Sequence, residues 1–535
     1  MGCGQSKTTP AVWVDSRVVT TKYGKLQGKR LVDEKALKGP VDAYLGVLFA
    51  APPVGQLRFK KPEPPVSWTG VRDAQTWGPV AIQGEFFIKN KSRPKPSEDC
   101  LQLNIFAPTW KSEFPTGFPV MVFIHGGGFA MGNAYDYGDD NIWRTLVSKD
   151  VIVITIQYRM GFLGFWYTRD KCIPANLGLW DQTAALQWIQ DNIEAFGGDK
   201  NNVTVFGESA GGASTDLLSL SPHSNRLFHK AIPMSGNAEC EFCNGNTAMP
   251  SHCEMQAKRM KISWNNPEEM YEKLMAAPAK DFAFPMSAAM TGKKDEIKKG
   301  LHTGPVIDGD FFPESYAELR KKAPPKPFLT GIFNLGFDKK KGIQGLLETA
   351  IPDDSEDGRD KREKLREEYI LKRGTKREKL MGRLNLGSDA VFNMGTWKLL
   401  QDQVAVNNGA APVFAYVYCY NNPKSWGLLR FLAPFTDATH GSELGFVFGK
   451  ALLAQWKMND NDKKIIELFA TTFTNFAKYG DPNGPKDAPS QLEVPWPRVT
   501  KEQNERHIRL DTTLTVQDSF FDGRPARMAA LRDSK

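Results

Sequence analysis

The run Gly207-Glu208-Ser209-Ala210-Gly211 has the pattern G-x-S-x-G. Small residues on both sides of a serine let the chain turn sharply there. The preceding Asn202-Val203-Thr204-Val205-Phe206 reads as a strand, and a helix-like stretch follows through Leu220. A serine on such a strand–turn–helix elbow holds its hydroxyl clear of a sheet, and its chemistry is nucleophilic attack on an acyl carbon. A second run, His125-Gly126-Gly127-Gly128-Phe129, follows the apolar stretch Met121-Val122-Phe123-Ile124. Consecutive glycines allow backbone N–H groups to close on a developing oxyanion. Gly127, Gly128 and Ala210 are therefore expected to form an oxyanion hole for Ser209. A general base must complete the set. With this elbow the chain order is Ser, then acid, then His. Of the seven histidines, the two late ones are His440 and His507, and His507 sits in a charged segment.

The elements that must position these groups are legible as patterns. Met121-Val122-Phe123-Ile124 and Val151-Ile152-Val153-Ile154-Thr155-Ile156 are continuous apolar runs, as expected for strands buried on both faces of a parallel sheet. Residues 179–196 have helical spacing, with Leu186, Ile189 and Ile193 three or four apart. Residues 18–50 read as short strands with turns, and residues 51–97, rich in Pro and Gly, as mostly loop. Alternating strands and helices argue for a large α/β unit. The expectation is a mostly parallel central sheet flanked by helices. It forms one domain over residues 13–530, with a charged insertion at about 353–383 that lacks an apolar face and reads as a solvated helix or loop.

Longer matches then accumulate. Tyr44-Leu45-Gly46-Val47, Leu57-Arg58-Phe59, Glu98-Asp99-Cys100-Leu101-Gln102-Leu103-Asn104, Asn176-Leu177-Gly178-Leu179-Trp180-Asp181-Gln182 and Phe476-Ala477-Lys478-Tyr479-Gly480-Asp481-Pro482 join the two glycine motifs. Together they resemble the type-B carboxylesterases, the carboxylesterase/cholinesterase family of α/β-hydrolases, over nearly the whole chain. The resemblance implies a serine hydrolase that cleaves carboxylic esters through an acyl-Ser209 intermediate, without metal or cofactor. Ala438-Thr439-His440-Gly441-Ser442-Glu443-Leu444 is similar to the family's catalytic-histidine segment, which makes His440 the base. Glu208, Ser235 and Glu443 match family positions that form a polar shell around the active site.

The acid departs from the pattern. The family carries Glu five residues after a strand-end Gly. Here the strand is Phe328-Leu329-Thr330-Gly331-Ile332-Phe333, and the fifth residue after Gly331 is Gly336. Asp338 is the nearest candidate replacement. Glu348, Asp353 and Asp354 are alternatives, and a site without an acid is a third. Disabling the acid of such a triad costs about 10⁴-fold in turnover, so a weakened esterase is one reading. An esterase-like binding or scaffolding protein is the rival, although such relatives usually lose the serine that this chain keeps. The choline-binding Trp of cholinesterases is not evident in residues 82–90, which disfavours acetylcholine.

Composition narrows the partners. The 535 residues are 41% hydrophobic and 24% charged, with a net charge of +8. That excess is local. Residues 1–30 hold six Lys/Arg against one Asp, and residues 359–383 hold eleven Lys/Arg against five Asp/Glu. The remainder is slightly acidic, which argues against a nucleic-acid partner and leaves a small-molecule ester. The start Met1-Gly2-Cys3-Gly4-Gln5-Ser6 fits the N-myristoylation pattern at Gly2, with Cys3 placed for a second acyl chain. Residues 1–12 are thus expected to be a flexible, lipidated terminus on the cytoplasmic membrane leaflet, and no secretory signal is read. Seven scattered cysteines make a poor disulfide framework. Cys240, Cys243 and Cys253 give only a weak zinc pattern, so no metal is expected. Secreted relatives pair the cysteine at Cys100 with one where this chain has Ala81, which predicts a free thiol. The oligomeric state is not fixed by the sequence.

Overall fold

A computed structural model describes residues 12–32, 38–84, 92–138, 140–243, 245–283, 303–333, 342–422, 424, 437–450 and 457–534. Among these, thirteen strands join in one sheet. They are β1 (Val12–Thr20), β2 (Lys25–Val32), β3 (Val41–Leu48), β4 (Val71–Asp73), β5 (Gln102–Pro108), β6 (Phe118–Ile124), β7 (Ile152–Ile156), β8 (Gly198–Glu208), β9 (Lys230–Met234), β10 (Phe328–Phe333), β11 (Val413–Tyr418), β12 (His507–Leu510) and β13 (Thr515–Gln517). Their spatial order is 1-2-3-5-7-6-8-9-10-11-12-13, with β4 beside β2. From β7 through β12 the pairing is parallel, and antiparallel strands extend the sheet at both ends. The fold is an α/β-hydrolase with a mixed sheet whose parallel centre carries the elbow.

The apolar runs form the centre because both faces are covered. Every residue of β6 and β7 is buried. Alternate side chains divide between two cores, as the two-residue period of a strand requires. Val122, Ile124, Ile154 and Val205 face Leu186 and Ile189 of helix α1 (Leu177–Asn192) and Leu217 of helix α2 (Ala210–Leu220). Met121, Phe123, Val153 and Phe206 face the opposite core. Among the further helices, those that bear on the site and its supports are α3 (Tyr316–Lys322), α4 (Glu356–Arg366), α5 (Lys376–Ser388), α6 (Met394–Asn407) and α7 (Asp460–Tyr479). Phe469, Phe473 and Phe476 of α7 line that second core. The expected helix over 179–196 is α1 followed by a 3₁₀ turn at Ile193–Phe196. Register places the carboxyl ends of the central strands side by side: Ile124 pairs with Gly207, Glu208 with Met234, and Met234 with Gly331. That edge is where open α/β sheets hold their ligands.

The charged segment differs from its sequence reading. It folds as α4 and α5, capped by Ser355 and by a Thr375/Glu378 capping box. It also has an apolar seam. Leu365, Tyr369 and Ile370 are buried with Leu346, Leu347, Met394 and Met528. The π-helical turn Glu367–Leu371 joins onto the end of α4 and lets residues four and five apart share one face. Three apolar residues among many charges are too few to stand out in the sequence, yet they suffice to dock the segment. Among the described residues, no helix is long and apolar enough to cross a membrane.

A buried ion pair ties α2 to its surroundings. Arg320 of α3 donates two hydrogen bonds of 2.9 Å to the Asp216 carboxylate on α2, and a longer one to Gln403 of α6. Asp216 also accepts from the Ala238 N–H after β9. Both charged side chains are almost fully buried. Removing one partner strands the other charge, which costs about 3–5 kcal/mol. Arg320→Met should therefore lower stability by roughly that amount, measured as a reduced denaturant midpoint at unchanged slope.

Candidate functional site

Ser209 sits between the end of β8 and the start of α2 with φ 59° and ψ −124°. A non-glycine residue pays for that conformation in strain, of order 1–3 kcal/mol. The neighbours hold it there by approaching too closely for side chains. A Cβ on Gly207 would lie 2.5 Å from the Gly211 backbone, and one on Gly212 would lie 2.5 Å from the Met234 carbonyl. A Cβ on Gly211 would run into the Ile124 carbonyl, and one on Gly236 into the Ser209 carbonyl. The small residues of the elbow are thus a packing requirement of the first turn of α2 against the ends of β6 and β9.

His440 lies in the loop after β11, 231 residues from Ser209 in sequence, and its Nε2 is 2.8 Å from Ser209 Oγ. Phe333, at the end of β10, meets the ring edge-on at 5.0 Å, and Phe392 lies at 4.5 Å on a tilted plane. The sequence reading missed both aromatics. The only signal for Phe333 was its place at the strand end, and for Phe392 there was none. Burial among these rings disfavours the imidazolium and lowers the His440 pKa to about 4. The imidazole is therefore neutral near pH 7. His507 is buried on β12 against Phe520, with Nδ1 against the Glu505 carbonyl, and takes no part in this pair.

The glycine loop stands opposite. Gly127 (φ 114°) and Gly128 (φ 61°) take backbone conformations that favour glycine. The Gly127 carbonyl accepts from the N–H groups of Ala130 and Met131, closing a tight turn. A Cβ on Gly126 would lie 3.0 Å from Ser209 Cβ, so the loop passes directly over the nucleophile. Ala210 is the first residue of α2, and its N–H has no acceptor within the helix. His125 beneath the loop is buried, stacked on Tyr158, and lowered to about 4 by burial. Its carbonyl accepts from the Tyr158 hydroxyl at 2.9 Å.

The three polar residues come together. Ser235 (φ 52°) donates to Glu443 Oε1 at 3.0 Å, and the Ser235 N–H donates to the Gly331 carbonyl. Glu208 Oε1 lies 3.3 Å from His440 Nδ1. Burial raises both carboxyls, Glu443 to about 7, and the neighbouring Glu443 charge raises Glu208 further. Asp338, Gly2 and Cys3 lie outside the described residues. The alternative acids are engaged elsewhere. Glu348 accepts from Gln344, Asp353 from Ser355, and Asp354 pairs with Arg362 at the surface. Cys100 is free and buried, and Ala81 lines the same small cavity.

A serine elbow at the carboxyl edge of this sheet, with a histidine on its hydroxyl, defines a serine-hydrolase type of α/β-hydrolase site. Comparison with known proteins narrows the class. The carboxylesterase family model matches residues 15–527. Esterase cest-33 of Caenorhabditis elegans is 37% identical over 90% of this chain and 89% of its own. A medium-chain fatty acyl-CoA hydrolase precursor of Anas platyrhynchos is 32% identical over 92% and 88%. The solved structure of a PNB esterase superimposes with a TM-score of 0.76 and 29% identity, covering 97% of this chain and 100% of that one. The chain belongs to the carboxylesterase family, and its reaction class is carboxylic ester hydrolysis.

The packing of the elbow is directly testable. Gly211→Ala should displace the first turn of α2 from the Ile124 carbonyl. Overpacking of this kind costs about 1–3 kcal/mol, and a shift of about 1 Å in a catalytic group costs on the order of 10²-fold in rate. A lower melting temperature together with such a fall in ester turnover is the expected pair of measurements.

Proposed function

We propose that Ser209, His440 and the amides of Gly127, Gly128 and Ala210 carry out ester hydrolysis through an acyl-serine intermediate. The observation that carries this reading is the 2.8 Å contact between His440 Nε2 and Ser209 Oγ on the strained elbow. His440 takes the hydroxyl proton as Oγ attacks the ester carbonyl carbon. The carbonyl oxygen becomes an oxyanion and is held by the three N–H groups, an interaction that strengthens as charge develops. The tetrahedral intermediate collapses, the alcohol leaves with the proton from His440, and Ser209 remains acylated. Water then repeats the sequence, with His440 again as base, and releases the acid.

A fluorophosphonate probe tests the nucleophile without knowledge of the natural ester. The wild-type protein should be labelled on Ser209 and hydrolyse a short-chain nitrophenyl ester. Ser209→Ala should lose labelling and lower kcat by about 10⁴-fold or more. A folded wild-type protein that takes no label would overturn the reading.

The N-terminal pattern supports a second element of the proposal. Gly2 is myristoylated and Cys3 palmitoylated, which holds the enzyme on the cytoplasmic leaflet. One myristoyl chain gives only marginal binding, and a second makes anchoring stable. The excess of basic residues in 1–30 adds attraction to an anionic surface. In cells fed an alkyne myristate analogue, the wild-type chain should incorporate label and sediment with membranes. Gly2→Ala should lose the label and move to the supernatant, and unlabelled wild-type protein would exclude the assignment.

A further inference from the structure

The base needs a partner on its second nitrogen. For Nε2 to accept the serine proton, neutral His440 must carry its own proton on Nδ1, and an acceptor there selects that tautomer. The position that usually supplies the acceptor is Gly336, which has no side chain. Among the described residues, the one carboxylate within 4.0 Å of Nδ1 is Glu208, at 3.3 Å. Both atoms are buried and neither makes a hydrogen bond: at 3.3 Å they face each other just short of hydrogen-bond geometry. Two orphaned polar atoms facing each other satisfy one another at little reorganisation, whereas leaving both unpaired is costly. Gly441, immediately after His440, has φ 75°, and a Cβ there would lie 3.5 Å from Oε1, so the loop carrying the base is wrapped onto this carboxyl.

We infer that Glu208, the residue preceding the nucleophile, replaces the missing triad acid by accepting the Nδ1 proton of His440 and holding the ring for Ser209. The inference rests on the reading of Ser209 and His440 given above. Glu208 touches no reacting atom, so it is a positioning residue that acts through the histidine. Burial and the nearby Glu443 charge raise the Glu208 carboxyl, and Ser235 donates to Glu443, so the two carboxyls share one enclosed polar pocket beside the ring. Glu208 Oε1 accepts from Nδ1–H, which steadies the ring and the imidazolium formed as Oγ attacks, until that proton passes to the leaving alcohol. Ser209 and its orienting acid are then adjacent in the chain, so the strained elbow positions both.

The test compares Glu208→Gln with Asp338→Ala in the full-length protein. The readouts are nitrophenyl ester kinetics, fluorophosphonate labelling, and the downfield proton resonance of His440 Nδ1–H, assigned by its loss in His440→Gln. Glu208→Gln should lower kcat by about 10²- to 10³-fold with KM within about threefold, and shift or abolish the resonance. Asp338→Ala should keep the resonance and cost less than about threefold. A collapse of kcat and loss of the resonance in Asp338→Ala, with Glu208→Gln near wild type, overturns the inference and leaves the Ser209 reading standing. A wild-type protein that neither labels nor hydrolyses overturns both. If Glu208→Gln does not fold, the wild-type and Asp338→Ala spectra decide alone: a resonance kept in Asp338→Ala supports Glu208, and one lost there refutes it.

Discussion

The first turn of α2 touches the ends of β6 and β9 backbone to backbone, and the rest of the site depends on that contact. It permits no side chain at 207, 211, 212 or 236, and it drives Ser209 to a strained positive φ of 59°. Strain of this kind persists only where the surroundings over-determine it. Here they are the strands buried on two faces and the Asp216–Arg320 pair, which fixes the far half of the same helix. The turn therefore sets the height of the Ser209 hydroxyl and the direction of the Ala210 N–H. It also sets the direction of Glu208, the last residue of the strand.

The electrostatics follow from the same burial. Removal of water lowers His440 and raises Glu208 and Glu443, so each group is pushed towards its neutral form. The ring is enclosed between Phe333 and Phe392, which is the physical source of that loss of water.

How much of this was legible differs from residue to residue. Ser209, the glycine loop and the strands around them were readable because close backbone approach and two-faced burial restrict residue type locally. The helix at 177–192 was readable through its period. The seam of α4 was not, because Leu365, Tyr369 and Ile370 are sparse among charges and gain meaning only against Leu346, Met394 and Met528. His507 sits in a charged segment, and nothing in its neighbourhood announces that β12 extends the sheet and buries it. Phe392 was invisible for the same reason: its importance is its distance from a ring 48 positions away in sequence.

The sequence by itself determined the elbow, the glycine loop, the α/β architecture and the family, since each rests on residue types that backbone geometry demands in place. It also exposed the gap at Gly336. Which carboxylate faces the base could not be read along the chain, because it depends on where a loop after β11 folds back over the end of β8. Among the described residues, tertiary structure brings His440 Nδ1 to 3.3 Å from Glu208, which the sequence had marked only as a neighbour of the nucleophile. Sequence spacing fixes what is adjacent on a strand or helix, whereas the partner of a buried nitrogen is fixed by packing between segments more than two hundred residues apart.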